Sequence, residues 1–277
     1  MLRQAILKVF HPSDFTAEEE AAFVHALRLT VAVRGDLSIV HVGNAEDSIH
    51  WEYFPRVRPT LVKWGMIEAH KEAKGMATLG FTAHKVQLAG KQKMASLLAY
   101  MDEHIPDLAV MAHHHRTGLS HLLHPSAAVP LSRVSGVTSL FLPRHVPGFV
   151  DPETGAVSLR RVLIPIDVDP LPQPAVDIVV AIADALECRL DITLLFVGDI
   201  DHMPAVNIPQ RPGWTVSKRA ENGDVVNTIL AVAAKEKADL IAMCSPGDCS
   251  LVDAIVGTKL ERILREANCP LIGVPKQ

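Results

Sequence analysis

Residues 107–111 read D-L-A-V-M and residues 239–243 read D-L-I-A-M, 132 positions apart. The same offset carries Ser126 to Thr258 and brings Val137–Leu142 close to Leu271–Val274. Upstream, H-P-S-D at 11–14 matches I-P-I-D at 164–167 at an offset of 153, and Ile39–Val42 matches Leu194–Val197 at 155. The offset falls because the first half carries some 22 extra residues between Val42 and Gly90. A repeat of this length makes each half a domain-sized unit, so one architecture is used twice. With 277 residues and 30.1 kDa, the chain has room for two such units, each with its own core.

Each half alternates short apolar runs with amphipathic ones. In the first, strands are expected at Ala5–Phe10, Ile39–Val42, Lys85–Leu88 and Leu108–Ala112. Thr16 and Glu19 form an S/T-x-x-E pattern at the start of a helix to about Val33, and Met94–His104 reads as another helix. The second half gives strands Arg161–Pro165, Asp191–Val197 and Leu240–Cys244, with helices Ala175–Glu187 and Val225–Lys235. Thr258 and Glu261 make a second capping box, and Leu260, Ile263, Leu264 and Ala267 share one helical face. Such alternation means parallel sheets covered by helices on both faces. The Pro- and Gly-rich stretch Pro147–Ser158 has no periodicity and reads as a linker, dividing the chain into 1–146, 147–158 and 159–277. The unequal repeat predicts a helix around Pro59–Thr78 and mostly irregular chain over 198–218, where Pro204, Pro209 and Pro212 interrupt any helix.

Composition removes several classes of function. A net charge of −4 and pI near 6.4 do not suit a protein built around nucleic acid. Arg3 and Lys8 interrupt what would be the apolar core of a secretion signal, and the longest apolar run, Val176–Leu186, contains Asp177 and Asp184. A soluble, cytoplasmic protein without membrane or nucleic-acid partners is expected. All four cysteines (Cys188, Cys244, Cys249 and Cys269) fall in the second half, which is no disulfide framework.

The second half contains Pro165-Ile166-Asp167 at the end of its first expected strand, then Cys244, Gly247, Gly257 and Thr258 from the end of the strand Leu240–Cys244 onward. In this pattern the chain resembles a tandem universal stress protein. That family has a P-x-D turn and a G-x2-G-x9-G-[S/T] loop, with Cys244 here at the first glycine position. In the first half, Pro12-Ser13-Asp14 and Ser126 remain, while the glycine positions hold Ala112, His115 and Pro125. The resemblance implies two pseudo-twofold-related domains, each an open five-stranded parallel sheet of the adenine nucleotide alpha hydrolase-like kind. It also implies pairing between the last strands of the two halves. A stress-response binding protein is implied, with ATP or AMP held weakly in the second domain and the first domain degenerate. Residues carried across are Pro165, Ile166, Asp167 and Val197 near adenosine, with Met243, Cys244, Gly247, Gly257, Thr258 and Lys259 around ribose and phosphates.

Physical chemistry supports those roles. An aspartate at the carboxyl end of a strand can accept a ribose hydroxyl or adenine amine, in the crevice where open α/β sheets bind ligands. Glycines let backbone N–H groups approach a phosphate, and Gly257-Thr258 would open a helix whose N-terminus favours an anion. Asp248 and Asp253 oppose a triphosphate, so a less charged ligand such as AMP is preferred. Read without a ligand, the same glycines serve turns and Thr258 caps a helix.

Thirteen of the fourteen histidines lie at or before His145. His113, His115, His121 and His124 are candidate zinc ligands, although adjacent residues at a strand end face opposite ways and no H-E-x-x-H or Cys-x2-Cys spacing supports a closed site. The simpler reading of the cluster is a solvated or interface loop with one or two histidines satisfied by hydrogen bonds. No Walker A order and no G-x-S-x-G elbow are present. An enzyme is not expected, beyond the slow ATP hydrolysis the resemblance allows. The alternatives are a nucleotide-free scaffold acting through dimerisation or partners, as an intramolecular pseudo-dimer or homodimer, and a metal-binding protein using His113–His124.

Overall fold

The computed structural model describes residues 7–43, 51–68, 74–113, 128–245 and 258–276. The first half runs β1 (Lys8–Pro12), α1 (Glu20–Val33), β2 (Asp36–Gly43), α2 (Val57–Lys63), α3 (Lys74–Leu79), β3 (Thr82–Ala89), α4 (Lys93–His104), β4 (Leu108–His113), α5 (Ala128–Ser135) and β5 (Ser139–Pro143). The second runs β6 (Arg161–Ile166), α6 (Gln173–Leu186), β7 (Asp191–Val197), β8 (Thr215–Glu221), α7 (Val225–Glu236), β9 (Leu240–Ser245), α8 (Lys259–Glu266) and β10 (Leu271–Pro275).

These strands form a single ten-stranded sheet in the order β3-β2-β1-β4-β5-β10-β9-β6-β7-β8. Each half is parallel throughout, and the two join antiparallel, with Leu140 opposite Ile272 and Ser139 opposite Gly273. The last strands therefore meet as the resemblance implied. Two apolar layers sandwich the sheet. One lies under α1 and α6, around Leu27, Ile39, Val179 and Ile182. The other lies under α4, α5, α7 and α8, around Met101, Leu131, Ile229 and Ile263. Strands buried on both faces explain the unbroken apolar runs of the sequence.

Local chemistry explains most element ends. α8 starts at a capping box: Glu261 N–H donates to Thr258 Oγ1 at 3.2 Å, and Thr258 N–H donates to Glu261 Oε2 at 2.8 Å. The other expected box does not form. Residues 17–19 make a 3-10 turn, and the Thr16 side chain makes no capping bond. Glu19 instead accepts from Ser13 Oγ and Asp14 N–H, both at 2.8 Å, which draws its carboxyl inward under the β1 turn.

The helix expected over Pro59–Thr78 is broken into α2 and α3. Gly65 adopts φ +69°, and Gly65 N–H and Met66 N–H close onto Val62 O and Leu61 O. That is a Schellman stop, which only a residue tolerant of the left-handed region makes cheaply. Over 198–214 the sole helical feature is a 3-10 turn at Ile200–His202, but β8 begins at Thr215, inside the stretch expected to be irregular. Its sequence, T-V-S-K-R-A-E, is mostly polar because it is the outer strand of the sheet and exposed along most of its length.

Residues 147–158 are not a loose tether. Val150 and Val157 form an antiparallel bridge, and Phe149 and Val150 are buried. His25 of α1 accepts N–H groups from Phe149 at 2.9 Å and Val150 at 3.1 Å through Nε2, while its Nδ1 donates to Ala21 O at 2.6 Å. Trp64 Nε1 donates to Pro152 O at 3.1 Å. Among the described residues no helix is long and apolar enough to cross a membrane.

Candidate functional site

In the second half, β6 pairs with β7 on one side and with β9 on the other. The chain direction of the crossovers reverses there, which is where open α/β sheets leave a crevice beyond their carboxyl ends. A cleft of about 200 Å³ lies at that point. It gathers Pro165, Ile166 and Asp167 from the end of β6 and Val197 from β7. Met243 and Cys244 come from β9, and Thr258 and Lys259 from the start of α8. Eight of the ten carried-over residues thus share one cavity; Gly247 and Gly257 lie outside the described residues.

Its electrostatics are internally balanced. Lys259 Nζ stands 3.9 Å from Asp167 Oδ2, and Lys276 Nζ is 2.8 Å from Asp169 Oδ1. Asp167 Oδ1 also accepts the N–H of Val168 at 2.7 Å. The capping box occupies two of the N–H groups that an anion at the α8 N-terminus would otherwise receive. Burial pushes the Cys244 thiol up, so at neutral pH it is an uncharged, small side chain in the cleft wall rather than a nucleophile. The remaining wall is largely apolar, with Phe196, Leu195, Ile229 and Pro170.

The sequence reasoning missed one side of the cavity. Val129, Ser132 and Arg133 of α5, in the first half, line it too. Arg133 Nη2 lies 3.2 Å from Glu261 Oε1, with both side chains largely shielded from solvent. The signal was present: if the last strands of the halves pair, the helices preceding them lie side by side.

At the corresponding turn of the first half, aromatic rings pack on one another. By the repeat, Phe15 corresponds to Val168 and His41 to Phe196. Phe15, at φ +66°, stacks on His41 with ring centroids 3.8 Å apart and 19° between planes, and meets Phe54 edge-on at 4.8 Å. His41 Nδ1 donates to Ser13 O at 2.7 Å, which fixes the ring beneath Phe15. Beside it, burial and the nearby Asp14 charge push the Glu19 carboxyl up to about 8. Burial lowers His11, which donates to Val110 O at 2.9 Å, to about 4.

Of the zinc candidates, His113 is buried at the end of β4, and His115, His121 and His124 lie outside the described residues. Among the described residues no three His, Cys, Asp or Glu side chains form a metal-binding group.

The fold, the cleft and the repeat define a tandem α/β protein with a crevice at the sheet's carboxyl edge. The family model for the universal stress protein family matches residues 7–138 and 158–275, and the chain belongs to that family. Universal stress protein MJ0531 of Methanocaldococcus jannaschii is 28% identical over 123 residues, covering 35% of this chain and 71% of its own length. A universal stress protein from Archaeoglobus fulgidus overlays on 100% of this chain and 98% of its own, at 15% identity and TM-score 0.65, a likeness of fold. A universal stress protein solved in complex with cAMP covers 51% of this chain and 99% of its own, at 16% identity and TM-score 0.36.

Proposed function

We propose that this protein is a cytoplasmic stress-response binding module whose second half holds an adenine nucleotide weakly, with a preference for AMP over ATP. The observation that supports this reading is the convergence of Pro165, Ile166, Asp167, Val197, Met243, Cys244, Thr258 and Lys259 on one cleft at the sheet's switch point. The apolar wall suits a base, and Asp167 suits a ribose hydroxyl or exocyclic amine. Each charged group of the cleft already has a partner of opposite sign, so a ligand adding three or four negative charges meets carboxylates without enough free cations to offset them. No chemical step is part of the proposal.

The first half is proposed as a ligand-free structural partner, because its glycine positions hold Ala112, His115 and Pro125 and Phe15 stacks on His41 at the matching turn. Calorimetric titration with AMP and ATP tests both statements. AMP binding in the micromolar to millimolar range is expected at one site per chain, weakened by Asp167→Ala and by Gly257→Val. Absence of binding by both nucleotides would leave the scaffold reading in its place. Two equivalent sites would overturn the assignment of the first half.

A further inference from the structure

Arg133 belongs to the first half but borders the cleft of the second. Val129, Ser132 and Arg133 are spaced i, i+3, i+4, so one face of α5 forms that wall. The position follows from the sheet junction, since pairing of β5 with β10 sets α5 alongside α8. Among the described residues Arg133 makes one bond there, from Nη2 to Glu261 Oε1 at 3.2 Å, and Glu261 is its only ion-pair partner. A guanidinium has five donors in a planar fork, so a single long bond leaves most of its capacity unused.

Several other anion-binding groups of the cleft are already committed. Thr258 N–H and Glu261 N–H serve the capping box, and Lys259 faces Asp167. Glu261 itself holds two tasks: Oε2 takes the Thr258 N–H and Oε1 takes Arg133. Only the second can be given up without opening the helix end. We propose that Arg133 is the side chain that binds a phosphate monoester in the second-half cleft, leaving Glu261 to do so; the ligand site is then completed only by the first half. This rests on the reading of the cleft as a nucleotide site. A phosphate dianion offers the bidentate geometry a guanidinium fork prefers and carries more charge than the carboxylate it displaces.

Calorimetry with AMP and with adenosine separates the two levels of the argument. Wild-type protein is expected to bind AMP roughly tenfold more tightly than adenosine. Arg133→Gln should remove that difference while leaving adenosine affinity unchanged. Glu261→Gln keeps the capping box, which Gln also supports, and frees Arg133, so it should tighten AMP binding several-fold. The gain should vanish in the double variant Arg133→Gln/Glu261→Gln. A thermal melt and circular dichroism spectrum like the wild type's will accompany each variant. Unchanged AMP affinity in Arg133→Gln, or an equal gain from Glu261→Gln with and without Arg133, would overturn this assignment alone. Failure of wild-type protein to bind either AMP or adenosine would overturn the nucleotide reading and the assignment with it.

Discussion

Phe15 stacks on His41 with ring centroids 3.8 Å apart, at the turn after β1 that matches the turn after β6 in the second half. The contact is held at a backbone cost, since Phe15 sits at φ +66°, a region that side chains with a β-carbon enter at about 1–2 kcal/mol. Phe15→Ala keeps that strain and loses the stack on His41 and the edge contact to Phe54. A loss of about 1–3 kcal/mol is expected. Phe15→Gly relieves the strain and should be less damaging than alanine by about 1 kcal/mol. Urea unfolding of the two variants checks the order; a more stable Ala variant would refute it.

Stability should peak near pH 6.5. Burial lowers His11 and His25 to about 4 from the usual 6.5, so the unfolded chain binds protons that the folded one refuses. Their contribution is complete above pH 6.5 and is lost as pH falls toward 4, by at most about 3 kcal/mol per histidine. Glu19 acts oppositely. Raised to about 8 from 4.5, it keeps a proton on folding, so its contribution is complete below pH 4.5 and lost as pH rises toward 8. Between pH 4.5 and 6.5 two histidines outweigh one carboxyl, and above 6.5 Glu19 acts alone. Denaturant midpoints across pH 4–9 should therefore rise and then fall.

His25 ties the crossover between the halves to α1. His25→Ala leaves the N–H groups of Phe149 and Val150 buried without their acceptor, a cost of about 2–4 kcal/mol. His25→Gln retains an acceptor oxygen on a side chain of similar reach and should recover part of it. Hydrogen exchange at those two amides is the specific readout, because a loss spread evenly over the molecule would point to cavity formation instead.

Cys244 occupies a position that is glycine in the family pattern, and its half-buried side chain narrows the cleft. Cys244→Gly should raise nucleotide affinity by roughly threefold to tenfold, at a stability cost of about 1 kcal/mol for glycine in a strand. Calorimetry with AMP on the variant decides it; unchanged or weaker binding would show that the thiol does not obstruct the ligand.

The repeat and the alternation of apolar runs made the α/β architecture readable, because both faces of a covered parallel strand must be apolar, whereas the meeting of the last strands followed only from the family resemblance. β8 escaped notice because Thr215–Glu221 lies at the sheet edge, where polar residues are tolerated. The Thr16–Glu19 pattern misled because Ser13 and Asp14, six and five residues before Glu19 and outside the four-residue capping pattern, compete for the same carboxyl. At the site, Asp167 and Lys259 were legible from their place in a motif. Arg133 was not, since it belongs to no motif and reaches the cleft only through the packing of one half on the other.

At the β5–β10 seam, Ser139 faces Gly273 and Leu140 faces Ile272. In a dimer of identical chains every such pair recurs with its members exchanged, so no substitution can be confined to one side. Here the Phe141 ring and Leu260 close over Gly273, where an added β-carbon would lie 2.6 Å from Leu260 Cδ1, and each side of the seam can change by itself. Covalent linkage also makes assembly unimolecular, so the paired state survives dilution that would dissociate two separate chains. A single chain thus has neither the concentration threshold nor the enforced symmetry of a dimer, and its two halves can carry different side chains at corresponding turns, as Phe15 and Val168 do.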